Sequence, residues 1–354
     1  MSTVGAGAPT GIRRYFEKAE NQLSILVEQE PVCLYLEVTN RCNLLCTTCP
    51  RTFEQLEPEA DMSWELFTKI VDQVPNVKRV VLHGVGEPML VKRLPEMVAY
   101  LKQRGVYVLF NTNGTLLTKK NGQALIDAGL DELRVSLDAA EPTVFKMIRG
   151  KDMFDRIVTN VRGFRQMQAE QAKELPRVSL WLTGLRETLD QLEAFVRLAD
   201  SVDVREVYLQ RLVFFTGNPN GLARADSALF ENTSQEEEAL ITRATSLAQS
   251  LNITFSASGA TEPETSIKQT QSGSPWSLCR RPWTLMYFTA TGRAIPCCIA
   301  PFSMRGYASF TLGDATQHTL REIWNGTAYQ EFRRKLLSSD PPQTCANCGL
   351  RWSL

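Results

Sequence analysis

Strand-like and helix-like segments alternate along much of this chain of 354 residues, and the alternation limits the folds open to it. Segments 63–73, 94–104 and 155–168 carry apolar residues at helical spacing. The strand-like segments are 33–39, 79–84, 106–111, 132–137, 177–183 and 206–212. Such alternation is typical of repeated βα units around a parallel sheet. Because six units fall short of a complete eight-unit barrel, we predict an α/β fold with a partial (β/α)6 TIM-like barrel.

One face of these strand segments is polar, although core strands of parallel sheets are usually apolar on both faces. The polar residues of the first and fourth segments are Tyr35, Glu37, Thr39, Arg134, Ser136 and Asp138. Since side chains alternate along a strand, each set shares one face. We predict that the polar faces line a cavity and that the apolar faces meet the helices. Edge strands wetted on one side are the alternative.

The composition of the chain divides it into four parts. They are a flexible tail and helix at 1–30, the barrel at 31–216, a helical segment with a linker at 217–277, and a hairpin-plus-helix module with cysteines at 278–354. Residues 11–30 carry the first helix. Ser234 followed by Glu237 predicts a capping box that opens a helix ending near Ser250. Residues 251–257 favour one more strand.

The overall charge and the apolar pattern give no support for several classes of protein. The chain has 39 basic residues (Lys plus Arg) and 39 acidic residues (Asp plus Glu). Proteins that bind nucleic acids usually have an excess of basic residues. No apolar run is long enough to span a membrane, and residues 1–10 lack the regions of a signal peptide. We therefore expect a cytoplasmic protein without nucleic-acid or membrane partners. Nine cysteines in such a chain favour metal or redox chemistry over disulfides.

Three cysteines, Cys42, Cys46 and Cys49, follow the first strand segment. At C-x3-C-x2-C spacing, their thiolates can converge on one metal centre. A four-iron cubane with three local ligands keeps one iron open, and an open position is typical of catalytic metal sites. The loop also lies where barrel enzymes place their active sites, after a strand. From spacing alone, a zinc site and unrelated buried thiols remain alternatives.

This loop resembles that of the radical S-adenosylmethionine (SAM) superfamily, and a second motif agrees. The second strand segment ends in HGVGEP, which is similar to the family's Gly-Gly-Glu-Pro segment with Val85 in place of the first glycine. The resemblance implies a [4Fe–4S] cluster on the three cysteines, with SAM on its open iron. It places Gly86, Glu87 and Pro88 at the SAM amino group. It also implies reductive cleavage of SAM to a 5′-deoxyadenosyl radical that takes a hydrogen from the substrate.

Three more residues resemble SAM contacts of the family. Asn113 follows the third strand segment and Ser136 ends the fourth, and the resemblance implies that they contact the ribose and methionine parts of SAM. Arg149 lies on a short helix that Pro142 opens. It resembles the arginine that pairs with the SAM carboxylate. Thr48 departs from the family, which commonly has an aromatic residue before the third cysteine.

The C-terminal module carries a second set of cysteines. They are Cys279, Cys297, Cys345 and Cys348. Four cysteines can close either a tetrahedral zinc site or an iron–sulfur cluster. The residues between the first two predict a hairpin that turns at Gly292, which would bring its flanking cysteines together.

This second set resembles the SPASM/twitch extension of radical SAM enzymes. The spacing Cys-x12-Gly-x4-Cys, the late C-x2-C, and the sequences LGD at 312–314 and EIWN at 322–325 match its usual form. The resemblance implies one auxiliary [4Fe–4S] cluster, as in the shorter twitch form, because the further cysteines of the full pattern are missing. Cys298 is an ambiguous ligand, and the spacing favours Cys297. We expect Cys33 to be a small buried hydrophobe.

The sequence thus predicts a radical SAM oxidoreductase or lyase. A non-catalytic zinc or iron–sulfur protein and an iron–sulfur electron carrier are the alternatives. About 30 residues precede the first strand, fewer than the peptide-recognition domain of many peptide modifiers. We therefore expect hydrogen abstraction from a sugar, aminocyclitol or nucleoside-like substrate, which is oxidised with the auxiliary cluster as electron acceptor. Decarboxylation or epimerisation of a sugar acid or nucleoside in natural-product biosynthesis ranks second, and peptide or protein modification third.

The family resemblance also implies an electron donor such as flavodoxin or ferredoxin. The chain has only two histidines, so acid–base work falls to other residue types. The cavity-facing candidates for catalysis are Glu37, Arg134, Asp138, Tyr208 and Gln210.

Overall fold

The chain forms two units in a computed structural model that describes residues 23–214, 220–229, 233–259, 262–267 and 274–346. The first unit consists of Met1–Cys42, Glu54–Leu109 and Gln271–Leu354, and the second of Asn43–Phe53 and Phe110–Thr270. The chain therefore passes from the first unit to the second inside the cysteine loop, directly after Cys42.

The strands confirm the alternating pattern of the sequence. They are β1 (Cys33–Leu36), β2 (Arg79–Val81), β3 (Tyr107–Thr112), β4 (Glu132–Ser136), β5 (Arg177–Gly184), β6 (Glu206–Arg211), β7 (Thr254–Ala257), β8 (Leu285–Phe288), β9 (Arg293–Ile295) and β10 (Gly313–Asp314). The first six match the six predicted segments with small shifts at their ends. The predicted α/β class with a partial barrel is confirmed.

Three of the helices, α1, α2 and α5 in the list that follows, stand where the helical spacing of apolar residues predicts them. They are α1 (Trp64–Asp72), α2 (Leu94–Lys102), α3 (Lys119–Asp127), α4 (Pro142–Arg149), α5 (Phe154–Glu170), α6 (Leu192–Ser201), α7 (Gln235–Ser250), α8 (Pro263–Ile267), α9 (Arg281–Thr284), α10 (Ala300–Ser303), α11 (Leu320–Trp324) and α12 (Thr327–Leu336). The predicted capping box of Ser234 and Glu237 opens α7. The helix predicted over 11–30 is absent from residues 23–30, and residues 11–22 lie outside the described part.

In the first unit, the C-terminal hairpin extends the parallel sheet. β1 pairs in parallel with β2 on one side and with β8 on the other, and β2 pairs in parallel with β3. β8 and β9 form the predicted antiparallel hairpin, which turns at Gly292 with a φ of +95°. A left-handed turn residue of this kind favours glycine.

The face of β1 that carries Tyr35 does not line an open cavity, contrary to the prediction. Tyr35 lies opposite Tyr287 in the ladder, and their rings stack with centroids 6.3 Å apart. Both belong to a buried cluster with Ile295 and Phe310 from the C-terminal module. The module therefore covers this part of the strand with apolar side chains.

In the second unit, four strands run parallel in the order β4-β5-β6-β7. Their apolar positions are buried, and these are Leu133, Val135, Leu180, Leu182, Val207 and Leu209. The alternate positions are half-buried, and these are Arg134, Ser136, Trp181, Thr183, Tyr208 and Gln210. Here the predicted contrast between a polar and an apolar face is confirmed.

The EIWN sequence at 322–325 stabilises the start of the described chain within the first unit. Asn325 binds the backbone of Val27 in both directions, as acceptor from its N–H at 2.9 Å and as donor to its carbonyl at 2.8 Å. The Trp324 indole donates to the Gln29 carbonyl at 3.0 Å. Glu322 forms a capping box with Thr319 at the start of α11. This motif therefore has a structural role.

No helix in the described ranges combines the length and apolarity that crossing a membrane requires.

Candidate active site and cofactor-binding residues

The segment that leads into the cysteine loop is fixed by hydrogen bonds within the first unit. The Asn40 side chain donates to the Pro58 carbonyl and accepts from the Ala60 N–H, both at 2.8 Å. The Thr39 hydroxyl donates to Asp61 at 2.7 Å. Because these side chains bind backbone and a carboxylate, the chain enters Cys42 in a defined direction.

The Gly-Glu-Pro turn lies directly against this segment. The Glu87 N–H donates to the Arg41 carbonyl at 2.8 Å, and the Glu87 carboxylate accepts from the Met89 N–H at 3.1 Å. A Cβ on Gly86 would collide with the Thr39 carbonyl oxygen and lie 2.7 Å from the Arg41 carbonyl oxygen. Only glycine allows this approach, so the turn predicted to bind SAM contacts the backbone one residue before Cys42.

Glu37 is fully buried beside the same turn. Its carboxylate accepts from the Val85 N–H at 2.8 Å, from the Tyr287 hydroxyl at 3.0 Å and from the Ala290 N–H at 3.3 Å. Burial raises the pKa of Glu37 to about 7. The three hydrogen bonds favour the ionised form and so act against this shift. A residue without exposed surface is poorly placed to act on a substrate directly.

The raised pKa of Glu37 predicts a pH-dependent stability. Between its usual value of 4.5 and about 7, the folded protein holds a proton that the unfolded chain has lost. The free energy of unfolding should therefore fall as pH rises through this window, by about 3 kcal/mol from this group. Chemical denaturation at pH 5 to 8 measures it, and Glu37→Gln should remove this part of the slope. Equal slopes for both proteins would contradict the prediction.

In the second unit, the cysteine loop is fastened to the end of α4. The N–H groups of Leu45 and Thr47 donate to the carbonyls of Arg149 and Ile148, at 3.2 and 2.7 Å. Gly150, with a φ of +74°, ends the helix against Leu45. These backbone contacts hold the loop on both sides of Cys46 against the helix that carries Arg149.

Arg149 is buried between a carboxylate, that of Asp138, and a thiol, that of Cys46. Its guanidinium forms an ion pair with Asp138 at 2.7 Å and donates to the Cys46 sulfur at 3.7 Å. Asp138 has a φ of +64° and also accepts from the Thr183 N–H at 2.7 Å. Burial raises the pKa of the Cys46 thiol, and the Arg149 charge acts against this shift. A cation beside this sulfur fits a thiolate ligand of a cluster.

Asn113 joins the same loop through two residues that the sequence patterns missed. The Asn113 amide donates to Asn43 at 2.8 Å, and Asn43 donates to the Thr115 hydroxyl at 2.7 Å. That hydroxyl in turn donates to the side-chain oxygen Oδ1 of Asn113 at 2.7 Å. Asn43 follows Cys42 directly, and its position in the cysteine motif was the available signal. The candidate SAM contact is thus held by the loop itself.

The half-buried face of β4–β6 carries an aromatic pair among its polar residues. The rings of Trp181 and Tyr208 stack with centroids 3.9 Å apart, and the Arg134 guanidinium lies 4.5 Å from the Trp181 ring centroid. Ser136 lies opposite Trp181 in the ladder, and Gln210 lies opposite Thr183. Three of the catalytic candidates, Arg134, Tyr208 and Gln210, therefore share this face, whereas Asp138 is buried against Arg149.

The C-terminal cysteines occupy segments that contact one another in the first unit. Arg281, two residues after Cys279, donates to the Cys298 sulfur at 3.2 Å. The hydroxyls of Ser303 and Thr344 are hydrogen-bonded at 2.9 Å, which joins the end of α10 to the residue before Cys345. Cys348 lies outside the described residues. Cys33 is fully buried, as expected.

The residues present fit the cofactors that the sequence implies. Half-buried thiols, buried arginines beside the Cys46 and Cys298 sulfurs, and a glycine cradle against the loop backbone all suit iron–sulfur clusters and SAM. Within the described ranges, no three His, Cys, Asp or Glu side chains gather closely enough to hold a metal ion. The assignment of individual ligands therefore stays a prediction.

Comparison with known protein families identifies both parts of the chain. The profile of the radical SAM superfamily matches residues 36–199. The chain therefore contains a radical SAM domain. The SPASM iron–sulfur cluster-binding domain matches residues 279–349, so this radical SAM protein also carries a domain for auxiliary clusters. Its cofactors are SAM, the [4Fe–4S] cluster of the superfamily and auxiliary iron–sulfur centres.

Individual relatives of this radical SAM protein differ in their tasks. It is 29% identical to the tungsten-containing aldehyde ferredoxin oxidoreductase cofactor-modifying protein of Pyrococcus furiosus. The match extends over 186 residues, which are 52% of each chain. It is 21% identical over 332 residues to the PqqA peptide cyclase of Granulibacter bethesdensis, 92% of this chain and 82% of that one. Several curated relatives are matched over only about half of their own length.

The fold has solved counterparts. The SAM-bound crystal structure of Streptococcus suis SuiB aligns with a TM-score of 0.66 and 16% identity, over 91% of this chain and 72% of that one. At this identity the likeness concerns the fold.

Proposed function

We propose that this chain is a radical SAM enzyme that modifies a peptide. Cys42, Cys46 and Cys49 would hold a [4Fe–4S] cluster, which with one added electron would supply the reductive cleavage of SAM and thereby the means of removing a hydrogen atom from the substrate. The observation that carries the SAM chemistry is the seating of Gly86 on the carbonyls of Thr39 and Arg41, directly before Cys42. There the turn binds and orients SAM beside the cysteine loop.

In this proposal the protein's own side chains divide the work. Cys42, Cys46 and Cys49 hold the cluster, and Arg149 stabilises the Cys46 thiolate while Asp138 fixes the guanidinium. Gly86, Glu87 and Pro88 bind the amino end of SAM. The remaining SAM contacts are Asn113, Ser136 and Arg149.

The substrate in this proposal meets the half-buried face of β4–β6. This face offers a stacked aromatic pair, Trp181 and Tyr208, together with the polar groups of Arg134 and Gln210. Aromatic rings with polar neighbours suit a ligand that has both apolar and hydrogen-bonding parts, as a peptide has. The relative that matches 92% of this chain is a peptide cyclase. Peptide modification therefore has more support than the sugar-like substrate that the sequence favours.

The auxiliary centre in this proposal is one [4Fe–4S] cluster on Cys279, Cys297, Cys345 and Cys348. If the reaction is an oxidation, this centre would supply an acceptor for the second electron, and the accompanying proton would pass to solvent or to a side chain. Arg281, which donates to Cys298, supplies a positive charge near the electron's destination.

The reconstituted wild-type protein, reduced with dithionite under anaerobic conditions, should form 5′-deoxyadenosine from SAM. Cys46→Ala should form none because it lacks a cluster ligand, whereas Cys33→Ala, which changes a buried thiol of β1, should retain the activity. Synthetic peptides encoded beside the gene, with deuterated side chains, test the substrate. Transfer of deuterium into 5′-deoxyadenosine with loss of two hydrogens from the peptide is expected for oxidation. Absence of 5′-deoxyadenosine from the wild type would refute the function.

A further inference from the structure

Glu37 receives hydrogen bonds from two segments that serve different cofactors. Its Oε2 accepts from the Val85 N–H at 2.8 Å and from the Tyr287 hydroxyl at 3.0 Å, and its Oε1 accepts from the Ala290 N–H at 3.3 Å. Val85 immediately precedes Gly86 of the SAM-binding turn. Tyr287 and Ala290 belong to the C-terminal hairpin. One oxygen atom thus joins the turn to the hairpin.

The hairpin side of this link leads to the auxiliary cysteines. Tyr287 pairs in the β8–β9 ladder with Ile295, two residues before Cys297. Ala290 lies in the turn of the same hairpin. A movement of β8 would therefore reach the Glu37 carboxylate through a hydroxyl and an N–H, and the carboxylate binds Val85.

The surroundings of Glu37 are shaped to keep its carboxylate in place. A Cβ on Gly84 would collide with the Glu37 side chain, so the absence of a side chain there makes the room that Glu37 occupies. Glu37 itself has no exposed surface. A buried carboxylate that accepts three hydrogen bonds is strongly oriented, because each lost bond leaves a desolvated group.

We propose that Glu37 is a positioning residue through which the auxiliary-cluster hairpin sets the affinity of the SAM-binding turn. This inference rests on the proposed SAM chemistry. Glu37 orients the Val85 N–H and thereby the main chain of the turn, while the Tyr287 hydroxyl fixes the same carboxylate oxygen from the hairpin. Removal of the Tyr287 hydroxyl alone therefore weakens SAM binding, although Tyr287 belongs to the C-terminal module.

Equilibrium binding of radiolabelled SAM to the reconstituted, oxidised holoenzyme tests this without turnover. Glu37→Gln should raise the Kd for SAM about tenfold, and Tyr287→Phe should raise it severalfold. The double variant should be no weaker than Glu37→Gln alone, since both changes act through one atom. Iron content should stay at the wild-type level in each, and saturating SAM should restore kcat while KM stays raised.

Tyr329→Phe is the matched control. Tyr329 is another fully buried tyrosine of the first unit, and its hydroxyl makes no hydrogen bond with the described residues. Its replacement should leave the Kd for SAM unchanged. A wild-type Kd in Tyr287→Phe, or fully additive effects in the double variant, would overturn the inference. If Glu37→Gln does not assemble, the Kd of Tyr287→Phe decides alone.

The same samples separate this inference from the proposed function. If the wild type binds SAM but yields no 5′-deoxyadenosine on reduction, the proposed chemistry is refuted and the binding comparison still decides the role of Glu37. If the wild type cleaves SAM and Tyr287→Phe binds it normally, the proposed chemistry stands and the link through Glu37 is refuted.

Discussion

Gly86→Ala should reduce SAM cleavage by about a hundredfold, mainly through a higher Kd for SAM. The new methyl group would collide with the Thr39 carbonyl oxygen and lie 2.7 Å from that of Arg41. Both are backbone atoms of a segment fixed by Asn40, so neither can rotate aside as a flexible side chain would. The turn must retreat, and a displacement of about 1 Å at an active site costs roughly a hundredfold in rate.

Gly163→Ala is the matched control for this substitution. Gly163 lies inside α5, and a Cβ there would meet no atom within 4 Å. Since alanine is a better helix former than glycine by about 1 kcal/mol, this variant should be slightly more stable and fully active. Measurement of SAM binding and 5′-deoxyadenosine formation in both variants checks the prediction. Normal SAM affinity in Gly86→Ala would show that the turn tolerates a side chain.

The local elements of this fold could be predicted from the sequence because each depends on neighbours in the chain. Proline at the first position of α4 and Gly150 after its end mark that helix in the sequence. Ser234 and Glu237 mark the start of α7 in the same way. The hairpin turn at Gly292 needs a positive φ, which glycine supplies. Such signals carry their own physical cause within a few residues.

The long-range pairings were not predictable, because local patterns contain no information on which strands meet. β8 lies beside β1, and nothing in either sequence specifies the other. As a result, Tyr35 was assigned to a cavity but packs against Tyr287. Glu37 shows the same limit. Its polar character was recognised, yet its partners lie 48 and 250 residues away, and they determine that it is buried.

The residues of the candidate site also fall into a group that local sequence reveals and a group that it does not. The cysteines, the Gly-Glu-Pro turn and Arg149 stand out as motifs, because their spacing in the chain is itself the signal. The residues that hold them do not. Asn43 and Thr115 support Asn113 through side-chain hydrogen bonds that only the folded second unit brings together. Supporting contacts of this kind position the residues that the motifs identify, and they form only in the tertiary structure.

Arg333→Leu should lower the free energy of unfolding by about 3 to 5 kcal/mol. Arg333 is fully buried in α12 and donates to the carbonyls of Pro282 and Ile25 at 2.9 and 3.1 Å, and to Asn325 at 3.3 Å. Its guanidinium also lies 4.3 Å from the Trp324 ring centroid. Leucine leaves one buried and two partly buried acceptors without their donor, and an unsatisfied buried group costs roughly 1 to 3 kcal/mol.

The loss of stability in Arg333→Leu should extend beyond α12, because Arg333 joins three separate segments of the first unit. Ile25 precedes the backbone that Asn325 binds at Val27, so the start of the described chain should loosen together with the helix. Arg334→Leu is the control. Arg334 is the next residue, is 54% exposed and pairs with Glu331 across one helical turn, and surface pairs contribute about 0 to 1 kcal/mol. Urea titration of the holoenzymes should show a clearly lower unfolding midpoint for Arg333→Leu. The midpoint of Arg334→Leu should be nearly the same as that of the wild type. Equal midpoints would mean that the buried guanidinium contributes no more than an exposed one.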